Sequence, residues 1–299
     1  MKDKILVIVG PTASGKTALS IELAKKYNGE VISADARQVY RGMDIGTGKI
    51  SKEEMGGIPH HLIDILEPND VYTAAAFKRD AENIIADIIS RGKLPIIAGG
   101  TFFYIDTLLG RLSLPEVPPN PVLREKLEAL PIESLYTSLL RLDPRRAETI
   151  DKHNKVRLVR ALEIIESLGT VPPPKNVGVR PLHFDILTLG IDIPKETLHE
   201  NIKKRLLSRI DIGMIEEVQN LHEGGISWER LNALGLEYRY IAEFLQEKMT
   251  KDEMIEKLDT EIRHFAKRQM TWLKRDKSIV WVNPIEREGI EKLVEEFLG

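Results

Sequence analysis

The stretch that decides the fold is Ile5-Leu-Val-Ile-Val9-Gly10-Pro-Thr-Ala-Ser-Gly15-Lys16-Thr17. The β-branched run at its start is typical of a buried parallel strand, and it leads directly into the pattern GxxxxGK[ST]. Apolar residues at helical spacing then predict a helix over 17–26. A strand, a glycine-rich turn and a helix in this order indicate a phosphate-binding P-loop. The loop consists of Gly10, Pro11, Thr12, Ala13, Ser14, Gly15, Lys16 and Thr17.

The chemistry of phosphate binding explains which residue types occur in the P-loop. Glycines allow successive backbone N–H groups to point at phosphate oxygens, and the N-terminus of the next helix adds partial positive charge. We expect Lys16 to neutralise the terminal phosphate and the Thr17 hydroxyl to bind Mg²⁺, directly or through water. The motif predicts nucleotide or diphosphate binding, with ATP as the ligand if the protein is a kinase, but it does not identify the phosphate compound.

Strand and helix signals alternate through the first third of the chain. Strands are predicted over 31–33 and 94–98, with a helix over 74–89 between them. This alternation favours a parallel sheet covered by helices on both faces. After a proline-rich stretch at 115–121 the signals are helical, and a strand returns at 184–191.

We therefore predict an α/β fold: a P-loop NTPase-like parallel sheet core with an inserted all-helical domain and a largely helical C-terminal part. The predicted divisions are 1–115 for the first part of the core, 116–183 for the helical insertion, and 184–299 for the completion of the core and the basic C-terminal helices. A late strand is expected at 279–282 and a long helix over 252–274.

Composition excludes several classes of chemistry. The chain has 299 residues and no cysteine, so it has no disulfides, thiol nucleophile or cysteine-ligated zinc. The first apolar run is too short to span a membrane or to serve as a signal sequence. We expect a cytoplasmic protein without membrane contacts. The formal net charge of −3 gives no global support for nucleic-acid binding, so any such surface must be local.

The residues that follow the predicted strands limit which reactions the site can catalyse. A P-loop NTPase also needs an acidic residue after an apolar strand to hold Mg²⁺. The strand at 94–98 is followed by Gly99-Gly100-Thr101, whereas Asp35 follows the strand at 31–33. This favours a diphosphate and one carboxylate acting together. Two alternatives remain: a P-loop kinase that uses ATP and a small acceptor such as a nucleoside, and an RNA-binding module with a structural P-loop.

Several later stretches resemble the tRNA dimethylallyltransferase (tRNA isopentenyltransferase) family. They are DARQVYRGMDIGTGK at 35–49, IPHHLID at 58–64, Gly99-Gly100-Thr101, RLVRALE at 157–163 and RHFAKRQMTW at 263–272. The matches run in the family's order from residue 10 to about 275, so the resemblance covers nearly the whole chain.

The resemblance implies transfer of a dimethylallyl group from dimethylallyl diphosphate to the exocyclic N6 amine of the adenosine just 3′ of the anticodon, with Mg²⁺ as cofactor. Asp35 is then the general base, Thr101 contacts donor and acceptor, Lys16 stabilises the leaving diphosphate, and Gln38 reads a base edge. The target base must leave its stack to react. A free adenine nucleotide is an alternative acceptor, but it requires neither the helical insertion nor the 263–272 motif.

The expected partner is the tRNA anticodon stem-loop. The residues that the resemblance assigns to tRNA binding are Asp35, Ala36, Arg37, Gln38, Thr101, Arg124, Arg157, Arg160, Arg263, Lys267 and Arg268. Three positions depart from the family pattern: Ala36 replaces a usual serine, Phe102 a common glycine, and Asp151-Lys152 a His-Pro pair.

Other polar groups are expected to have ordinary roles. Lys203, Lys204, Arg205 and Arg209 are predicted to form a solvated helix face. His60 and His61 are adjacent, so on a strand they face opposite ways and do not share a metal. Gln269 is expected to pack through its apolar stem. The sequence does not determine the oligomeric state, for which a monomer is the expectation.

Overall fold

The computed structural model describes residues 3–112, 114–172 and 184–299. Its strands are β1 (Asp3–Val9), β2 (Gly29–Ser33), β3 (His60–His61), β4 (Leu94–Gly99), β5 (Phe184–Ile191) and β6 (Val280–Val282). Its helices are α1 (Lys16–Lys26), α2 (Lys52–Met55), α3 (Ala74–Ser90), α4 (Phe102–Leu108), α5 (Pro121–Glu128), α6 (Ile132–Leu142), α7 (Pro144–Thr149), α8 (Lys155–Leu168), α9 (Lys195–Asp211), α10 (Met214–Glu223), α11 (Trp228–Leu234), α12 (Leu236–Leu245), α13 (Lys251–Leu273) and α14 (Arg287–Leu298).

The chain forms two compact units. The first comprises residues up to Leu109 and from Pro181 onwards, and the second comprises 110–180. The sequence placed these divisions at 115/116 and 183/184. Their described parts are 3–109 with 184–299, and 110–112 with 114–172.

The first unit is built on a parallel six-stranded sheet with the order β3-β2-β4-β1-β5-β6. The β1 residues Ile5 to Val9 are buried, as the continuous apolar run predicts for a central strand. Val7 pairs with Ile97 of β4 on one side and with Thr188 of β5 on the other. The predicted α/β parallel-sheet fold is confirmed, and the predicted strand and helix bounds differ from the observed ones by at most a few residues.

The strand order brings the candidate site residues to one edge of the sheet. β1, β2 and β4 are neighbours or next neighbours, and all three run in the same direction. The P-loop, Asp35 and Thr101 each follow the carboxyl end of one of these strands. In open parallel sheets ligands bind at this edge.

Helices α9 to α13 share one apolar core with the segment that follows β2. Val39 and Met43 of that segment pack with Met214, Tyr238 and Leu258, all of which are fully or almost fully buried. The longest helix, α13, begins with a capping box in which Thr250 and Glu253 exchange side-chain and backbone hydrogen bonds. This core therefore supports the segment that carries Gln38.

In the second unit, residues 114–120 are irregular, and the regular structure of 121–172 consists of helices α5 to α8 alone. Its core includes Leu135 and Leu139 of α6, Leu158 and Leu162 of α8, and further apolar residues such as Ala147 of α7. In the described residues of both units, every helix is too short or too polar to cross a lipid bilayer.

Candidate active site

The P-loop connects β1 to α1. Gly15 is the N-cap of α1 and has a φ of +93°, a left-handed backbone conformation that glycine adopts without strain. The Ser14 hydroxyl oxygen is buried and has no hydrogen-bond partner among the described residues. The first N–H groups of α1 are also not used by the helix itself. An oxyanion such as a phosphate would satisfy all of these donors.

Two cations lie against the P-loop. The Lys16 ammonium donates to the Pro11 carbonyl at 2.7 Å, and the Arg205 guanidinium of α9 donates to the Thr12 hydroxyl. Burial and repulsion from Arg205, opposed by attraction to Asp35, lower the pKa of Lys16 to about 7. Partly buried cations that repel one another are stabilised by an anion, so this arrangement suits a polyanionic ligand.

Arg209 and Glu237 lie close enough to Arg205 to influence its charge. Burial, with repulsion from Arg209 one helical turn away, lowers the pKa of Arg205 to about 10. Arg209 lies 3.6 Å from a Glu237 carboxylate oxygen, and both side chains are largely buried. The prediction of a solvated helix face is therefore wrong for Arg205 and Arg209, whereas Lys203 and Lys204 are exposed. Helical spacing alone did not reveal which cations point inward.

Asp35 is fixed in the turn after β2. Its Oδ1 accepts hydrogen bonds from the backbone N–H groups of Arg37 at 2.8 Å and Gln38 at 3.3 Å. Its charge raises the pKa of both Lys16 and Arg205 against the effect of burial, so the carboxylate lies close to both cations. Among the described residues no hydrogen bond engages Oδ2. Asp35 therefore closes a turn and still presents one carboxylate oxygen.

Thr101 joins the end of β4 to the end of β2. Its backbone N–H donates to the Ala34 carbonyl at 3.1 Å, and its side-chain oxygen accepts from the Ala36 backbone N–H at 3.0 Å. Because the oxygen acts as an acceptor here, its own O–H remains to donate to a ligand. Ala36 contributes this contact through its backbone, although it lacks the usual serine hydroxyl. Phe102 is buried at the start of α4.

The Gln38 amide is held at both ends. Its Nε2 donates to the Gly48 carbonyl at 3.3 Å, and its Oε1 accepts from the Ser33 hydroxyl at 3.1 Å. Because the Gly48 carbonyl can only accept a hydrogen bond, the Nε2 end of the Gln38 amide must face it. Arg37 precedes it, and burial lowers the pKa of the Arg37 guanidinium. The turn at 35–38 therefore presents its side chains from a fixed backbone.

Gln269 of α13 links the later motif to the P-loop. Its side chain is almost fully buried, its Oε1 accepts from the Thr12 N–H at 2.8 Å, and its Nε2 donates to the Gly100 carbonyl at 3.0 Å. The sequence pattern predicts only packing for Gln269 and does not reveal the two hydrogen bonds of its amide. A glutamine on the apolar face of a helix is a signal for such a contact, because a buried amide needs partners.

The exposed side of α13 carries a basic groove. It has a volume of about 490 Å³ and is lined by His264, Lys267, Arg268, Thr271, Trp272 and Arg275. Arg275 lies 5.4 Å from the Trp272 ring, whose indole N–H donates to Asp106 at 2.7 Å. The structure thus brings Lys267 and Arg268 together. Arg263 instead pairs with Asp259 at 2.6 Å, and its Nε is buried without a hydrogen-bond partner among the described residues.

The candidate arginines of the second unit surround one acid. Arg124 makes a two-pronged contact with Glu163 at 2.8 Å, and Arg160 binds the same carboxylate and the Val117 carbonyl. Burial would raise the pKa of Glu163, but Arg124, the Asn120 N–H and Arg160 outweigh it and lower the pKa to about 2. Arg157 lies exposed on the first turn of α8. Arg124 and Arg160 thus have a structural role, whatever else they bind.

The acidic and histidine side chains of the described residues are the candidate ligands for a metal centre. Among the described residues no group of three or more His, Cys, Asp or Glu side chains is placed to hold an ion. His61 bonds Glu30 at 2.8 Å, and His60 contacts the Ile58 carbonyl at 2.8 Å through its Nδ1.

Thr17 is exposed on the first turn of α1. Mg²⁺ binds oxygen ligands and commonly keeps several waters beside substrate phosphates, so a single hydroxyl at this position fits such an ion.

Comparison with known proteins gives consistent matches. A model of the family described as IPP transferase matches residues 38–276. A curated tRNA dimethylallyltransferase of Shouchella clausii is 41% identical over 296 residues, covering 98% of this chain and 95% of the relative.

Solved structures agree with this result. The full-length tRNA isopentenylpyrophosphate transferase of Bacillus halodurans has a TM-score of 0.74 at 35% identity, covering 99% of this chain and 96% of its own. A eukaryotic dimethylallyltransferase, described as acting on tRNA, has a TM-score of 0.76 at 29% identity and covers 95% of this chain and 75% of its own.

Proposed function

This chain belongs to the IPP transferase family, and we propose that it transfers a dimethylallyl group from dimethylallyl diphosphate to the N6 amine of the adenosine 3′-adjacent to the anticodon of tRNA. Its curated relatives are tRNA dimethylallyltransferases, and the chain spans almost their whole length. The observation that carries the proposal is the convergence of the P-loop, Asp35 and Thr101 at one sheet edge, with Gln269 of the later motif bonded to the P-loop.

The reaction is a substitution at an allylic carbon. The bond between that carbon and the diphosphate oxygen breaks, a bond from the adenine N6 forms, and one N6 proton is released. The leaving diphosphate gains negative charge as the bond breaks, and preorganised cations and N–H groups stabilise such charge. Lys16, Arg205, the Ser14 hydroxyl and the first N–H groups of α1 supply this environment.

The acceptor side of the site requires a proton acceptor. The exocyclic amine is a weak nucleophile, and a carboxylate that accepts its hydrogen bond increases its reactivity. Asp35 Oδ2 takes this role, while Oδ1 keeps the carboxylate fixed against the N–H groups of Arg37 and Gln38. Thr101 donates its O–H at the junction of donor and acceptor, and Gln38 contacts the edge of a neighbouring base.

Mg²⁺ is the expected cofactor. When bound, it neutralises part of the charge on the leaving diphosphate. The Thr17 hydroxyl would hold this ion beside the diphosphate. Chelation should therefore stop transfer and weaken donor binding.

Binding of the anticodon stem-loop would use local positive charge. The basic groove of α13 offers Lys267, Arg268 and Arg275 to phosphates and the Trp272 ring to a base.

We also expect the protein to act in the cytoplasm, where unmodified tRNA is available. We expect a monomer in solution, which sedimentation analysis would test.

A transfer assay tests the function. Radiolabelled dimethylallyl diphosphate, Mg²⁺ and an unmodified tRNA with adenosine 3′ of the anticodon should give labelled tRNA. Asp35→Asn should lower kcat by roughly 100-fold or more, as loss of a general base does, while Asp252→Asn on exposed α13 surface should leave it unchanged.

Other outcomes would redirect the assignment. Label in AMP but not in tRNA would indicate a nucleotide prenyltransferase. Consumption of ATP with nucleosides, and no prenyl transfer, would indicate a kinase. A full rate for Asp35→Asn would remove Asp35 from the role of base.

A further inference from the structure

Glu217 of α10 holds a loop outside the active site. One of its carboxylate oxygens accepts from the backbone N–H groups of Asp44 at 2.8 Å and Ile45 at 2.6 Å, and the other accepts from Gly46 at 3.0 Å. The Tyr238 hydroxyl donates to the same carboxylate at 2.8 Å. Successive backbone N–H groups form an anion-binding concavity, and here a side chain of the protein occupies it.

The packing around this contact permits little movement. A Cβ on Gly46 would lie 2.8 Å from the Tyr238 ring, so only glycine allows the approach. The Gly46 carbonyl also accepts from Arg209 at 3.4 Å. On the other side of the loop the buried Lys49 ammonium binds the Tyr40 carbonyl at 2.7 Å and Asp44 at 2.5 Å. The loop at 43–49 is thus fixed at both ends.

The loop in turn orients an acceptor-binding residue. The Gly48 carbonyl accepts from the Gln38 amide and so determines which end of that amide faces Ser33. Glu217 touches neither Gln38 nor any group assigned to the donor diphosphate. Its effect on Gln38 must therefore pass through the backbone of the loop.

We propose that Glu217 is a positioning residue for recognition of the tRNA acceptor, acting through loop 43–49 on the Gln38 amide. This rests on the proposed function, because Gln38 matters only if an RNA base lies against it. An amide in place of the carboxylate leaves one acceptor oxygen for donors that two oxygens now share, and the weakened loop lets the Gly48 carbonyl move away from the Gln38 amide. Acceptor binding should weaken while donor binding and the chemical step are retained.

Steady-state kinetics separates these effects. Glu217→Gln should raise the KM for tRNA by roughly 10-fold, as loss of a charge-assisted hydrogen-bond network does. The KM for dimethylallyl diphosphate and kcat should stay within about twofold of wild type. Glu216→Gln is the matched control, because Glu216 is the exposed neighbour on the same helix. Tyr238→Phe, which removes one of the four hydrogen bonds, should give the same pattern with a smaller change.

A double-mutant cycle with Gln38→Ala tests the route of the effect. If Glu217 acts through Gln38, Glu217→Gln should add little in the Gln38→Ala background, since coupled residues are non-additive. Hydrogen exchange at the amides of 44–46 should also be faster in Glu217→Gln. If that variant does not fold, Tyr238→Phe takes its place in the cycle.

Three results would overturn the proposal: an unchanged KM for tRNA, fully additive effects in the cycle, or equal losses on donor and acceptor. Failure of the proposed function appears differently, because the wild-type chain itself would then transfer no label to tRNA.

Discussion

The Gln269 side-chain oxygen accepts a hydrogen bond from the backbone N–H of Thr12 at 2.8 Å. These residues are separated by most of the chain, yet this bond fixes the α13 motif to the P-loop. The same amide donates to the Gly100 carbonyl at 3.0 Å, beside Thr101. One buried side chain thus connects the P-loop to the end of β4.

Replacing Gln269 should weaken donor binding. Gln269→Glu retains an acceptor for Thr12 but places a carboxylate against the Gly100 carbonyl and beside the anion site. We expect the KM for dimethylallyl diphosphate to rise at least about 10-fold, since each buried unsatisfied group costs roughly 1–3 kcal/mol. Gln219→Glu, on the exposed side of α10, is the control. A donor KM equal to that of wild type would show that Gln269 serves packing alone.

Donor binding should take up a proton at Lys16. Its pKa of about 7 in the free protein means that it is largely neutral at about pH 8, and the added negative charge of a diphosphate should raise this pKa. Affinity should then fall as pH rises above about 7. Calorimetry at about pH 8, in buffers of different ionisation enthalpy, would measure the number of protons taken up on donor binding. The wild type should take up nearly one proton more than Lys16→Gln.

Lys25→Gln provides the control for Lys16, because it changes an exposed lysine of the same helix. It should keep the proton uptake of wild type. Equal uptake by the wild type and Lys16→Gln would place the titration on the diphosphate itself and contradict the prediction.

The basic groove should contribute to the salt dependence of tRNA binding. Each phosphate contact that is lost lowers the slope of log K against log salt by about 0.7–0.9. Lys267→Gln and Arg268→Gln should each show this change in binding titrations at several salt concentrations. Lys292→Gln, whose side chain is 78% exposed on α14, should leave the slope unchanged. Slopes identical to wild type in both groove variants would exclude phosphate contacts by these residues.

Glu163 should stabilise the second unit in a pH-dependent way. Its pKa is about 2 in the folded protein against an ordinary value of 4.5, so its contribution is complete above about pH 4.5 and is lost as pH falls through about 2. The shift corresponds to about 3 kcal/mol. Glu163→Gln should accelerate amide exchange in α8 at neutral pH, and the difference from wild type should shrink in acid. Glu166→Gln, exposed on the same helix, should show no such difference; an equal effect would locate the stabilisation elsewhere.

The local sequence was sufficient for much of the fold and for the reaction class. The apolar run Ile5–Val9 and the P-loop after it specify a central parallel strand followed by a helix N-terminus, because hydrophobic periodicity and glycine conformation act over a few residues. The motifs at 35–49 and 263–272 indicated the family, and residues 38–276 match its model. Asp35 and Thr101 could be identified as strand-end residues, since chain order and strand direction are enough to place them.

Only the tertiary structure decided which distant side chains meet at the site. The sequence predicted a solvated helix face for Arg205 and Arg209, but the packing of α9 turns them towards Thr12 and Glu237. Gln269 and Glu217 likewise bind backbone groups far away in the chain. Such contacts depend on how helices pack rather than on local preference, and a buried polar group takes whichever partner the packed chain brings to it. The sequence determined the strands, the helices and the P-loop motif, whereas helix packing determined the charges around that loop.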